Sequence, residues 1–189
     1  MHATPDRIID FWCNQCTPMD WYVRSDALDE TIRRRFGLAW RMAHAGAYAE
    51  WEDDPAHALA LLILLDQFPR NMFREDPRAF ATDARARRVA ARAAARGFER
   101  GLDGPARMFF LMPFEHSESL ADQDRSVRLF ARRFGAGEFH LHARAHRAVI
   151  ARFGRFPFRN AALGRASTPA ETAWLSAGGY AQEVERLSP

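Results

Sequence analysis

The side chains able to do chemistry gather in three breaks between helical stretches. The first follows an apolar run at residues 59–65 and reads Asp66, Gln67, Phe68, Pro69, Arg70, Asn71, with Arg74 beyond. A carboxylate at the C-terminal end of a helix opposes the helix dipole, so Asp66 needs compensation. Arg70 and Arg74 offer guanidinium forks that can pair with Asp66 or with a ligand. A buried ion pair that locks the helix end and a binding role both satisfy this pattern.

The second break is Met112 to Glu118. Glu115, His116 and Glu118 stand close enough to act as an acid/base set or as metal ligands, while acidic residues at a helix start also simply complement its dipole. Gln123 lies on the same helical stripe as Leu120, Val127, Phe130 and Phe134, where an apolar residue is expected, and a polar group facing inward needs partners. Glu138, His142 and His146 follow at spacings of four. That is a possible metal face, but Phe139, Val149, Ile150 and Phe153 share it, so His142 and His146 are read as pointing inward and no metal is expected. His140 reads as exposed.

The third break runs from Phe153 through Gly154, Arg155, Phe156, Pro157, Phe158, Arg159 and Asn160 to Leu163, Gly164 and Arg165. An aromatic, a proline, an arginine and an asparagine at a helix end make a rigid turn that aims a bidentate donor. Arginines capping exposed helix carbonyls explain it equally well. Charges that a core cannot bury unpaired lead to the expectation that the three breaks meet, with Asp66 or Glu115 touching an arginine from another break. Glu, His and Ser adjacent in sequence do not make a triad, and no GxSxG elbow is present.

The elements that must position these groups are helical throughout, since no stretch alternates long enough, with enough β-branched residues, to argue for a sheet. Helices are predicted over 5–13, behind Thr4 and Pro5, and from Ser25 or Asp26 to about Gly46 with Leu28, Ile32, Phe36, Ala39 and Ala43 on one face. One beginning at Pro55 is apolar all round over residues 59–65 and is therefore buried. Others cover 82–96 with Gly97 as stop, 105–112, 119–134 with Ser119 and Asp122 as a capping box, and 138–153. Thr168, Pro169 and Glu171 give the clearest capping box, for a helix ending near Leu175, and 176–189 reads as a tail. With no composition shift or repeat, residues 1–189 are expected to form a single domain.

The chain has 189 residues, and all 27 of its Lys+Arg residues are arginine. The absence of lysine excludes Schiff-base chemistry, the phosphate-loop lysine and a serine–lysine dyad. A pI near 9.4 suggests nucleic acid, yet basic and acidic residues are interleaved, and the Arg85, Arg88, Arg92, Arg96 face lacks interleaved aromatics, so no nucleic-acid partner is expected. Cys13 and Cys16 form a lone CxxC, read as two ordinary thiols. No window is apolar enough for a membrane span and the start lacks a signal-peptide pattern, so a cytoplasmic protein is expected.

Taken together, LLDQFPRNMFR at 64–74, PFEHSE at 113–118 with Gln123, and HRAVIARFGRFPFRNAALGRASTPAE at 146–171 resemble the bacterial "domain of unknown function 924" family. WYVRSDALDETIRRRF at 21–36 fits as well, so the resemblance spans about 4–175. It implies an all-helical, tetratricopeptide-like superhelical fold and no reaction. Carried onto this chain, the family's motif positions are Asp66, Gln67, Arg70, Asn71, Arg74, Glu115, His116, Glu118, Gln123, His146, Arg155, Arg159 and Asn160. Family members usually read FPHRN where this chain has Phe158 in place of the histidine.

The leading functional expectation is a pocket for a small anionic metabolite or an acidic peptide end, with Arg70, Arg155 and Arg159 as anion donors and Glu115, His116 and Gln123 as orienting groups; no cofactor is expected. Two alternatives stand beside it. One is a hydrolytic enzyme with Glu115 or Glu118 as general base, His116 or His146 as acid and the arginines stabilising developing negative charge. The other is a helical scaffold that binds a protein partner.

Overall fold

A computed structural model of the chain describes residues 3–102 and 104–188. These residues form helices and turns without a strand among them, so the all-α expectation holds. No helix among them is long and apolar enough to cross a membrane. The backbone divides into two compact units, residues 1–113 and 114–189.

The first unit is built around one buried helix. α1 (Pro5–Ile9) runs on into a π-helical stretch (Asp10–Gln15), α2 is Pro18–Tyr22, and α3 (Asp26–His44) starts at Ser25, whose side chain accepts the Leu28 N–H. α4 (Pro55–Leu62) is capped by Asp54, which accepts the N–H groups of Ala56 and His57, with Pro55 placed where its missing N–H costs nothing. No side chain over residues 58–65 is more than 2% exposed. Each leucine there contributes about 1.5–3 kcal/mol relative to an exposed one. α1, α3 and α6 (Asp83–Arg96) all pack on this helix or its continuation, with α5 (Phe68–Met72) between them in the chain. Gly97 ends α6 at φ 72°, the left-handed conformation a stop requires.

Two helix ends differ from the sequence reading. α4 widens into a π-helical turn at Ile63–Gln67, and the helix expected over 105–112 is a tight 3-10 segment (Pro105–Phe110) followed by α7 (Met112–Glu115). Apolar periodicity does not distinguish these windings over so few residues.

The second unit contains α8 (Leu120–Phe134), α9 (Glu138–Phe153), α10 (Pro169–Ser176) and α11 (Gly179–Leu187). α8 and α11 both pack on α9. Its core joins Val149, Ile150, Phe156 and Trp174, with Phe153 and Tyr180 against them. The stretch read as a tail is therefore largely helical. Tyr180 and Val184 lie four apart on one face of α11 and are half-buried, and the Gly178–Gly179 break hid that short pattern. The capping box expected of Ser119 is also corrected: its side chain makes no cap bond, and Ser117 Oγ instead donates to Asp122 and accepts the Ser119 N–H. Thr168 and Glu171 form the capping box as expected.

Glu171 does more than cap. Arg155 grips both its oxygens at 2.6 and 2.8 Å and the Thr168 N–H donates at 2.7 Å, which together pull its pKa from 4.5 to about 2. A lowered folded-state value means that the ionised form stabilises the fold above the ordinary pKa, and that this stabilisation fades as pH falls. Glu171→Gln is thus expected to melt below the wild type at neutral pH, with the gap shrinking below pH 4.5 and closing near pH 2. Thermal scans across that range check it; a gap independent of pH contradicts it.

Candidate functional site

The first break turns out to be a latch inside unit 1. Burial works against the charge on Arg70, and the carboxylates of Asp66 and Asp83 more than offset it, raising its pKa above the ordinary value. The guanidinium reaches both Asp83 oxygens at 3.1 Å and Asp66 at 3.3 Å, while Gln67 donates to Asp66 at 2.6 Å. Arg74 forks onto Asp29 of α3, and Asn71 donates to the same carboxylate at 2.8 Å. These groups tie α5 to α3 and α6. Asp29 and Asp83 escaped the sequence reading, although both lie on inward stripes: Asp29 precedes Ile32 and Phe36, and Asp83 precedes Ala86 and Ala90, all buried.

In unit 2 the second and third breaks meet, through Glu118. Its oxygens accept from Arg165 at 2.8 and 3.0 Å and from the Phe156 N–H at 2.9 Å. Burial alone would raise its pKa, but Arg165, that N–H and the nearby charge of Arg159 lower it instead. Glu118 is thereby held as an ionised strut. Arg155, expected to face an anion, is spent on Glu171, and Asn160 donates to Ser167 at 3.1 Å. Asp66 meets Arg70 of its own break, and Glu115 meets a histidine of α9.

That last pair is the chemical centre of the unit. Glu115 ends α7, where Gln123 holds the chain: its buried amide donates to the Glu115 and Ser117 carbonyls, each at 2.6 Å, satisfying acceptors that a helix end leaves open. The inward glutamine is thus explained as a clamp on the catalytic candidate. The Glu115 carboxylate lies 2.9 Å from Nδ1 of His146, with side-chain exposures of 6% and 15%. Nδ1 is also 3.0 Å from the His142 carbonyl. Two acceptors at one nitrogen place a proton on Nδ1, so that in the neutral ring the lone pair is on Nε2. Nε2 of His146 has no hydrogen-bond partner among the described residues.

The walls around this imidazole are aromatic. Phe156 meets the ring edge-on at 5.6 Å, Tyr180 lies at 4.6 Å and His116 at 6.2 Å between ring centroids. The buried Arg159 guanidinium sits 4.4 Å over the Phe156 ring, which puts a cation one side chain from His146. Phe158, at the position where a histidine was expected from the family pattern, stacks on Phe156 at 5.2 Å and is 46% exposed.

A family model for bacterial proteins of unknown function, DUF924, matches residues 8–179. The chain belongs to this family. A solved structure of a protein of unknown function from Agrobacterium tumefaciens is similar to it, with 38% identity and a TM-score of 0.87 over 92% of this chain and 97% of that one. Among curated proteins none matches. For this DUF924 member the family fixes no reaction, so its chemistry has to be argued from the site.

Other sequence candidates contribute less. Cys13 and Cys16 are free thiols, and burial pushes both pKa values up to about 11, which makes them poor nucleophiles. No group of three or more His, Cys, Asp or Glu among the described residues is placed to hold a metal ion. His142 and His146 do turn inward from α9, and His140 is half-buried where it was read as exposed. The Arg85 to Arg96 face is occupied in part by carbonyl and carboxylate partners, with Arg85 on the Ala43 and Ala47 carbonyls and Arg92 on Glu52. Tyr180, which touches His146, was missed because it lies in the stretch read as a tail.

Proposed function

We propose that this DUF924 member is an acid–base enzyme of hydrolytic type acting on a small molecule. His146 is the base and Glu115 the carboxylate that orients it. The observation that carries this reading is the imidazole with Nδ1 bonded to a buried carboxylate and Nε2 unpartnered, the arrangement a general base needs. Nε2 takes a proton from water as the water oxygen bonds to the electrophilic carbon. The imidazolium, steadied by Glu115, then returns the proton to the leaving group.

The anion-binding reading is less well supported, because Arg70 and Arg155 spend their charge on carboxylates of their own units. A panel of soluble esters, thioesters, amides and phosphate monoesters tests the enzyme. Wild type is expected to turn over at least one class, and His146→Gln to lose about 10²–10⁴-fold of that rate with an unchanged circular dichroism spectrum. No turnover of any class, or equal turnover by the variant, overturns the proposal.

A further inference from the structure

We propose that a cleft in unit 1, between the end of α3 and the first half of α6, binds a small dianion, a phosphate monoester or a dicarboxylate. The cleft encloses about 470 Å³, a volume typical of small-molecule sites. Arg85, Arg88 and Arg92 of α6 line it, with Glu52 and His44 across from small side chains such as Ala84. Three arginines share the cleft with a single carboxylate, so two positive charges stand in excess. Arginine keeps its charge at any working pH, so an anion has to balance them.

Two of these charges are held in place before a ligand arrives. Arg85, with 14% of its side chain exposed, donates to the Ala43 carbonyl and, at 2.8 Å, to the Ala47 carbonyl, and lies 3.8 Å from Glu52. Those carbonyls end α3 and carry only partial negative charge, so they position the guanidinium without neutralising it. Glu52, 13% exposed, accepts from Arg92 at 2.5 Å. One carboxylate thus orients two guanidiniums and can neutralise one. Arg88 meets no carboxylate among the described residues. It donates only to the Ala84 carbonyl one turn back on its own helix, at 3.3 Å, longer than the usual range. Arg88 and Arg92 are four apart and therefore neighbours on the helix surface, close enough to fork onto one oxyanion while Arg85 adds fixed charge. A dianion matches the excess, whereas a monoanion leaves half of it. Arg70 and Arg155 differ, because carboxylates of their own units already balance them.

The test titrates the ¹⁵N-labelled full chain with methyl phosphate, succinate and acetate at constant ionic strength and about pH 8, where a phosphate monoester carries nearly two charges. Saturable shifts are expected at the amides of Ala49 and Ala84, which line the cleft, with at least one dianion binding about tenfold or more tighter than acetate. Methyl phosphate as the tighter of the two supports a site for both charges on one group, succinate a site for charges on two. Arg88→Gln is expected to weaken that binding about tenfold or more, the loss of one charge-assisted hydrogen bond, with its melting temperature close to that of wild type because the side chain is exposed. Arg132→Gln removes the same charge from the exposed face of α8 and is expected to bind as wild type does. Shifts that do not saturate, acetate binding as tightly as both dianions, or equal weakening in the two variants overturn the site, and the arginines would then hold only a diffuse ion atmosphere. None of these measurements depends on turnover, so the outcome is separate from that at His146.

Discussion

Glu115→Gln is expected to lower turnover at His146 by about 10²–10³-fold with the fold intact, toward the smaller end of what general acid–base groups contribute. The amide NH₂ can donate to Nδ1, which favours the proton on Nε2 and removes the base. Replacing an orienting carboxylate by its amide acts through the tautomer in this way. The His142 carbonyl, 3.0 Å from the same nitrogen, still favours Nδ1–H and preserves part of the productive population. Glu115→Asp keeps the charge but shortens the reach by one methylene, so its loss should be smaller. The comparison is made on kcat/KM for the substrate class found in the screen. A glutamine variant as fast as wild type would show that the carboxylate does not orient the base.

Much of the fold and part of the site were legible in the residues. The all-round apolar run at 59–65 named the central helix of unit 1, and Gln123 on an apolar stripe announced a buried clamp without saying what it held. His142 and His146 were read as facing inward because their helix shares Val149 and Ile150. Which acid meets which base was not legible. Glu115 and Glu118 stand three apart with similar neighbours, yet one meets an imidazole and the other two guanidinium nitrogens, and only chain geometry separates those fates. The partners of Arg70 and Arg155 were hidden for a related reason: Asp83 and Glu171 lie 13 and 16 residues away, and Asp83 escaped the sequence reading while Glu171 was read only as a cap. Tyr180 was lost to a pair of glycines that made a short helix look like a tail.

Asp29→Ala is expected to cost about 3 kcal/mol of stability in unit 1, the low end for breaking a buried ion pair by removing one partner. Asp29 is 4% exposed and accepts from Asn71 at 2.8 Å and from Arg74 in a two-pronged contact, so its loss strands donors from α5. The figure sits at the low end because Arg74 keeps 29% of its side chain exposed and can turn its guanidinium toward water. The reverse deletion has no such outlet. Arg74→Ala leaves a carboxylate that is only 6% exposed with Asn71 as its remaining described side-chain partner, so it should destabilise at least as much. In the double variant neither charge is stranded, and the combined loss should fall short of the sum of the two single losses by about 1–3 kcal/mol. Urea unfolding of the four proteins closes the cycle, read as shifts in midpoint at constant slope. Strict additivity would mean that the fork and the carboxylate do not depend on each other, and α5 would then be held to α3 by its apolar contacts alone.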